Sequence, residues 1–178
     1  MSMARNFSIG SILCILISSI ISTSIPYWVI GNDDFRFHEG LWEMCIDDPD
    51  MRECVSFSDM DRIIHDHVPK FVLATRGLMI SSIILHAMCL LLAIRFGCVQ
   101  HISIRSAIVC IVLLIVGCIL LLTAMIVYGV NSSNSLVTRG AAFYLPLVST
   151  SLAILSAYSI VRAKRALEEN RNGYIAVQ

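Results

Sequence analysis

Gly40-Leu41-Trp42-Glu43-Met44-Cys45-Ile46-Asp47-Asp48-Pro49-Asp50-Met51-Arg52-Glu53-Cys54-Val55-Ser56-Phe57 is the stretch on which the fold turns. Leu41 to Cys45 and Cys54 to Phe57 flank Asp47-Asp48-Pro49-Asp50. Asp and Pro supply turn chemistry there, so the stretch predicts a β-hairpin with one cysteine in each strand. On an oxidising face Cys45 and Cys54 form a disulfide. Closing so short a loop contributes on the order of 2–3 kcal/mol through chain entropy. Two free thiols or a metal site are the other readings, but two cysteines with no histidine beside them make a poor zinc set.

Which face the hairpin occupies follows from the rest of the chain. The 178 residues are 57% hydrophobic and 15% charged, with a mean hydropathy of +0.78. A soluble domain carries roughly 25% charged residues, so the apolar excess requires lipid as solvent. A membrane span needs about 20 mostly apolar residues. Four runs qualify, at about 7–25, 77–94, 107–130 and 140–161. In lipid the backbone must satisfy its own hydrogen bonds, so each run is expected to be helical. The first run, with Arg5 before it and Ser22-Thr23-Ser24 after it, also has the outline of a cleavable signal peptide. Tyr27 and Trp28 just beyond it favour a true span, because aromatics gather at the membrane interface.

Short loops rich in Lys and Arg face the cytoplasm. Arg5, the link carrying Arg95 and Arg105, and the tail 162–178 with Arg162, Lys164, Arg165 and Arg171 hold seven basic residues. The loop 26–70 holds four basic residues against eleven of the thirteen acids, from Asp33 to Asp66. Both termini are therefore expected in the cytoplasm, and loops 26–70 and 131–139 outside. Cys45 and Cys54 are then the only two of the seven cysteines in an outer loop. The tail is expected to continue the fourth helix and stop at Asn172-Gly173. Nothing is basic enough for a nucleic-acid partner.

Trp28, then Gly40-Leu41-Trp42, two residues, Cys45, eight residues and Cys54 resembles the signature of the claudin, peripheral myelin protein and epithelial membrane protein superfamily. Ala74-Thr75-Arg76-Gly77-Leu78 is similar to the start of its second helix, and Gly140-Ala141-Ala142-Phe143-Tyr144 to that of its fourth. The resemblance covers nearly the whole chain. It implies a four-transmembrane, left-handed helix bundle under a small extracellular antiparallel β-sheet, built from the first loop and one strand of the second. Cys45 and Cys54 would form the family's loop disulfide. Trp28, Gly40, Leu41 and Trp42 would anchor the sheet, with Arg76 near that junction. Read from the residues alone, Trp28 and Trp42 are either interfacial anchors or, with Leu41, a small apolar plug that seats the sheet on the helix ends. The Trp28–Trp42 spacing is shorter than in junctional claudins and closer to the epithelial-membrane and lens members. The last residues, Gly173-Tyr174-Ile175-Ala176-Val177-Gln178, lack the hydrophobic terminus claudins offer to PDZ domains, and no cysteine follows the fourth helix. The large first loop argues against tetraspanins, whose large loop is the second.

Other residues carry two readings each. Asp33, Asp34, Asp47 and Asp48 could set a charge preference, or form a solvated acidic surface. Calcium would suit the carboxylates, but the ordered spacing of a calcium loop is absent. His86 lies within the second run, where a neutral ring bonded to a nearby serine or carbonyl is the simpler reading. His65 and His67 could sense pH or sit in a solvated turn. Asn131-Ser132-Ser133 is a glycosylation sequon at the membrane edge; Asn6-Phe7-Ser8 matches too but is expected inside. Cys98, beside Arg95 and Phe96, is a palmitoylation candidate or an inert thiol. Small residues including Ser11, Ser18, Ser22, Ser149 and Ser156 let helices approach closely.

No catalytic constellation, resident metal or cofactor is expected. The resemblance implies a structural protein of cell–cell contacts in the plasma membrane, in contact with lipids and self-associating within and between membranes. A paracellular cation-favouring channel, or an auxiliary subunit of a larger channel or receptor, are the alternatives.

Overall fold

The computed structural model describes residues 2–32, 36–48, 51–59, 68–98, 104–132 and 137–175. Helix α1 covers Ser2–Ser24. Strands β1 (Val29–Asn32), β2 (Arg36–Glu39), β3 (Glu43–Asp48) and β4 (Met51–Ser56) follow. Helices α2 (Lys70–Cys98) and α3 (Ile104–Asn131) precede strand β5 (Val137–Arg139), and helix α4 covers Ala141–Ile175. The strands form one antiparallel sheet in the order β4-β3-β2-β1-β5, so the last strand closes onto the first.

All four helices are long and apolar enough to cross a membrane, over Asn6–Ser24, Lys70–Arg95, Arg105–Asn131 and Ala141–Arg162. Their large apolar side chains point outward, among them Leu91, Ile119, Ile126 and Ile154. Many of the helical hydroxyls point inward, with Ser19, Ser22, Thr75, Ser82, Ser149 and Ser156 buried together with His86. This inversion of the soluble pattern is what a lipid solvent demands, since lipid-facing surface must be apolar and polar groups must find partners inside. The protein is therefore a multi-pass integral membrane protein.

A seam of hydroxyls joins α1 to α4. Ser8 meets Ser159 at 2.7 Å, Ser11 meets Ser156 at 2.6 Å and Ser18 meets Ser149 at 2.7 Å. A step of seven from Ser11 to Ser18 is matched by a step of seven from Ser156 back to Ser149. Contacts at that interval are those of a left-handed antiparallel pair. The first run thus packs as a member of the bundle. At the sheet end of the seam Ser22 Oγ donates to the Ala142 carbonyl at 2.8 Å. Pro146, four residues on, has no N–H for that carbonyl, and the serine takes its place.

The helix ends differ from the sequence expectation in three ways. Helix α2 begins at Lys70 rather than near Gly77. Pro69 starts it, its carbonyl accepting from Val72 and Leu73, and the polar residues Lys70, Thr75 and Arg76 hid this first part from an apolar criterion. Helix α1 begins earlier, at Ser2. Helix α4 passes through Asn172-Gly173 to Ile175 instead of stopping there, since these two residues weaken a helix without barring it.

Candidate functional site

The junction between sheet and bundle gathers most of the residues singled out in the sequence. Cys45 and Cys54 face each other across β3 and β4 and are disulfide-bonded, with Cα atoms 4.0 Å apart. Trp28 lies between the end of α1 and β1 and is 0% exposed. Its Nε1–H donates to the Ser22 carbonyl at 2.6 Å. That carbonyl lies in the last turn of α1, where no helical N–H reaches it, so the indole caps the helix. The ring packs 4.9 Å from Tyr128 of α3 and 6.0 Å from Phe143 of α4. One side chain thereby fastens three helices beneath the sheet.

Gly40 carries the chain over the start of β1. A Cβ there would stand 2.5 Å from the Pro26 Cα, so only glycine fits. Leu41, the next residue, is fully buried in the same cluster as Trp28 and Tyr128. Trp42 departs from the expected plug: it is 40% exposed. Its ring lies under the Arg76 guanidinium at 4.7 Å, and Phe57 takes the same guanidinium at 5.5 Å. Arg76 Nε donates to the Leu41 carbonyl at 2.6 Å. A cation–π partner needs its ring at the surface of the apolar core, where the guanidinium can reach it, which places Trp42 outside while Leu41 goes in.

Further ties have no warning in local sequence. The Tyr128 hydroxyl donates to Glu39 Oε1 at 3.2 Å. Burial pushes the Glu39 carboxyl up from its ordinary value of 4.5, against the opposing pull of the Tyr128 hydrogen bond. Arg139, at the end of β5, donates to the Gly129 carbonyl at 2.5 Å and to the Ser132 hydroxyl at 2.9 Å. It thereby caps the C-terminus of α3 with a cation. On β2, His38 Nε2 meets Asp47 Oδ2 at 2.5 Å, and the His38 ring lies 4.7 Å from Tyr27. Glu39 directly precedes Gly40-Leu41-Trp42, and Arg139 directly precedes Gly140; only their place beside a motif could have marked them.

The remaining candidates are scattered. Asp47 is thus taken up by His38; Asp48 lies at the end of β3 with its side chain outside the described residues, and Asp33, Asp34, His65 and His67 also fall outside them. Asn131 ends α3, exposed, with Nδ2 donating to the Val127 carbonyl at 2.8 Å. Ser132 donates to the Tyr128 carbonyl at 2.6 Å, and Ser133 is outside the described residues. Cys98 is the last residue of α2, its side chain likewise not described. His86 is buried between α2 and α3. Ser82 donates to the Gly117 carbonyl at 3.0 Å, so its oxygen is left to accept from His86 Nδ1 at 3.2 Å. Among the described residues no three His, Cys, Asp or Glu side chains are grouped to hold a metal.

The arrangement is a rigid platform: a disulfide-closed sheet fixed to helix ends by a capping indole, a guanidinium between two rings, a carboxyl–hydroxyl pair and a capping arginine. Among curated proteins no relative matches the chain. The family model described as PMP-22/EMP/MP20/Claudin family matches residues 4–159, which takes in the first three spans, the whole sheet and all but the last three residues of the fourth span. The chain belongs to the PMP-22/EMP/MP20/Claudin family.

Proposed function

We propose that this protein is a non-enzymatic structural component of cell–cell contacts in the plasma membrane, self-associating side by side through its helices and across cells through its sheet. Its termini lie in the cytoplasm and its sheet outside. The basic residues of the short loops and the disulfide in the long one support that sidedness. The observation that carries the function is the stiff attachment of the sheet. A surface held to the bundle by Trp28, Arg76, Glu39 and Arg139 keeps its shape when a partner meets it, and preorganisation reduces the entropy lost on association. The surface that meets the partner is the β3–β4 tip, from Asp47 to Arg52, together with the second outer loop. Ile46, exposed on β3 beside that tip, offers it an apolar contact. The test is expression in cells without junction strands, followed by imaging. The protein is expected to concentrate where two expressing cells touch; uniform distribution over the cell surface would reject the reading.

The eleven acids between Asp33 and Asp66 favour a second reading, a paracellular pathway that prefers cations. Replacing Asp33 and Asp34 with Asn should then lower the sodium-to-chloride permeability ratio of a cell layer; an unchanged ratio rejects this reading and leaves the first intact. An auxiliary role beside a larger channel or receptor would show as a stoichiometric partner purified in mild detergent.

A further inference from the structure

Arg76 is held firmly and its charge is left unanswered. Its Nε donates to the Leu41 carbonyl at 2.6 Å, and the rings of Trp42 and Phe57 lie 4.7 and 5.5 Å from the guanidinium. Nη2 is enclosed without a hydrogen-bond partner. Nη1 is neither enclosed nor bonded. Among the described residues the only ion pair is that of His38 with Asp47, so no acid matches the half-buried guanidinium. A carbonyl and two ring faces favour a cation, but they do not neutralise it. A partly desolvated charge without a counter-ion is unfavourable until one is supplied.

The surroundings say what kind of molecule supplies it. Arg76 directly precedes the apolar run 77–94, so its backbone sits at the edge of the hydrocarbon. A helical side chain leans towards the N-terminus, which carries the guanidinium from that edge towards the sheet and the lipid headgroups. Trp42 is exposed at the same level. Along α2, Leu73, Ile80 and Ile84 are exposed at three residues before Arg76 and four and eight after it. Gly77 lies between them, and a Cβ there would meet nothing. Gly117 and Gly129 differ, since His86 and Phe143 occupy the space over them. The outward face of α2 thus has an apolar hollow beside a cation with a free donor.

We propose that Arg76 and the hollow at Gly77 hold one phospholipid in the leaflet at the sheet end. Its phosphodiester accepts from Nη1, and an acyl chain lies over Gly77 among Leu73, Ile80 and Ile84. A soluble anion would answer the charge and leave the hollow empty; an uncharged lipid would do the reverse. An interfacial arginine normally loses side-chain freedom when it takes a phosphate. Arg76 is already fixed by the Leu41 carbonyl and two rings, so it loses little.

The test takes the full chain from nanodiscs containing equal amounts of phosphatidylcholine and the diacylglycerol of the same chains into phosphate-free detergent. Native mass spectrometry then counts the lipid that stays. One phosphatidylcholine per chain is expected, in preference to the diacylglycerol. R76Q should lower its retention at least about ten-fold, the smallest loss expected for a hydrogen bond to a charged group. G77F should lower it comparably, because the ring fills the hollow and displaces no atom of the protein. R95Q, near the opposite end of α2, should retain the lipid as the unaltered protein does. Equal retention of diacylglycerol, an equal loss in R95Q, or undiminished retention in either R76Q or G77F would overturn the proposal. Should R76Q fail to fold, G77F and the unaltered protein decide. Equimolar inorganic phosphate must leave the lipid in place; its displacement would show a site for free anions and reject the lipid.

Discussion

Trp28 and Trp42 belong to one motif and end in opposite surroundings, one sealed beneath the sheet and one at its surface under Arg76. Replacing Trp28 with Phe keeps most of the packing and deletes one donor, leaving the Ser22 carbonyl buried without its cap. A buried acceptor stripped of its partner costs about 1–3 kcal/mol. W28F should therefore lower detergent unfolding stability by that amount, and W42F, which keeps an aromatic face for Arg76, by less than 1 kcal/mol. Equal losses would contradict the capping role. Glu39 makes a prediction in pH. Its folded carboxyl titrates above its unfolded value because burial penalises the charge. The stability it contributes is complete below about pH 4.5 and is lost as pH rises through the higher folded value. Glu39→Gln can still accept from Tyr128 but has no proton to lose. Between pH 4.5 and 7.5 the unaltered protein should lose thermal stability relative to E39Q, and at pH 7 E39Q should be at least as stable. Parallel curves across that range would remove Glu39 from the account.

At the scale of elements, Pro146 and Ser22 make one unit although they sit on different helices. The proline leaves the Ala142 carbonyl without an N–H, and the Ser22 hydroxyl supplies the hydrogen bond. Ser22→Ala should cost about 1–3 kcal/mol in the bundle. Pro146→Ala restores the helix's own donor, so adding it to S22A should recover most of the loss. A double-mutant cycle measures this directly, and strict additivity of the two changes would show that they do not interact. The four spans were legible as apolar runs because lipid imposes composition along a whole helix. The hairpin was legible because turn residues separate its cysteines. The ends of the helices were not, because Lys70, Thr75 and Arg76 look like loop beside an apolar run, and the Leu41 carbonyl that Arg76 meets from within the helix lies 35 residues away in the chain. The serines announced close packing without naming the partner; the interval of seven shared by Ser11–Ser18 and Ser149–Ser156 was the signal that pairs α1 with α4. Glu39 and Tyr128 are far apart in the chain, and no local pattern joins them.

At the scale of the molecule, sheet and bundle have different solvents and different sources of stability. The helices are held by lipid, by backbone hydrogen bonds that water cannot compete for, and by the hydroxyl seam. The sheet stands in water and relies on its disulfide and on its ties to the helix ends. Those ties reach β1, β2 and β5 through Trp28, Glu39 and Arg139, and the β2–β3 connection through the Leu41 carbonyl. Strand β4 is at the edge of the sheet, paired only with β3, and the Cys45–Cys54 bridge is what holds it there covalently. Replacing both cysteines with serine removes about 2–3 kcal/mol of loop constraint from that hairpin alone. The loss should therefore be local. Far-UV circular dichroism should show unchanged helix content in detergent at a temperature where amide exchange in β3 and β4 has risen sharply and exchange in β1 has not. If contact between cells runs through the β3–β4 tip, the same variant should reach the surface and fail to concentrate at contacts. Loss of helix in step with the hairpin would mean that sheet and bundle unfold as one body, and that the platform draws its stiffness from the bridge rather than from the residues beneath it.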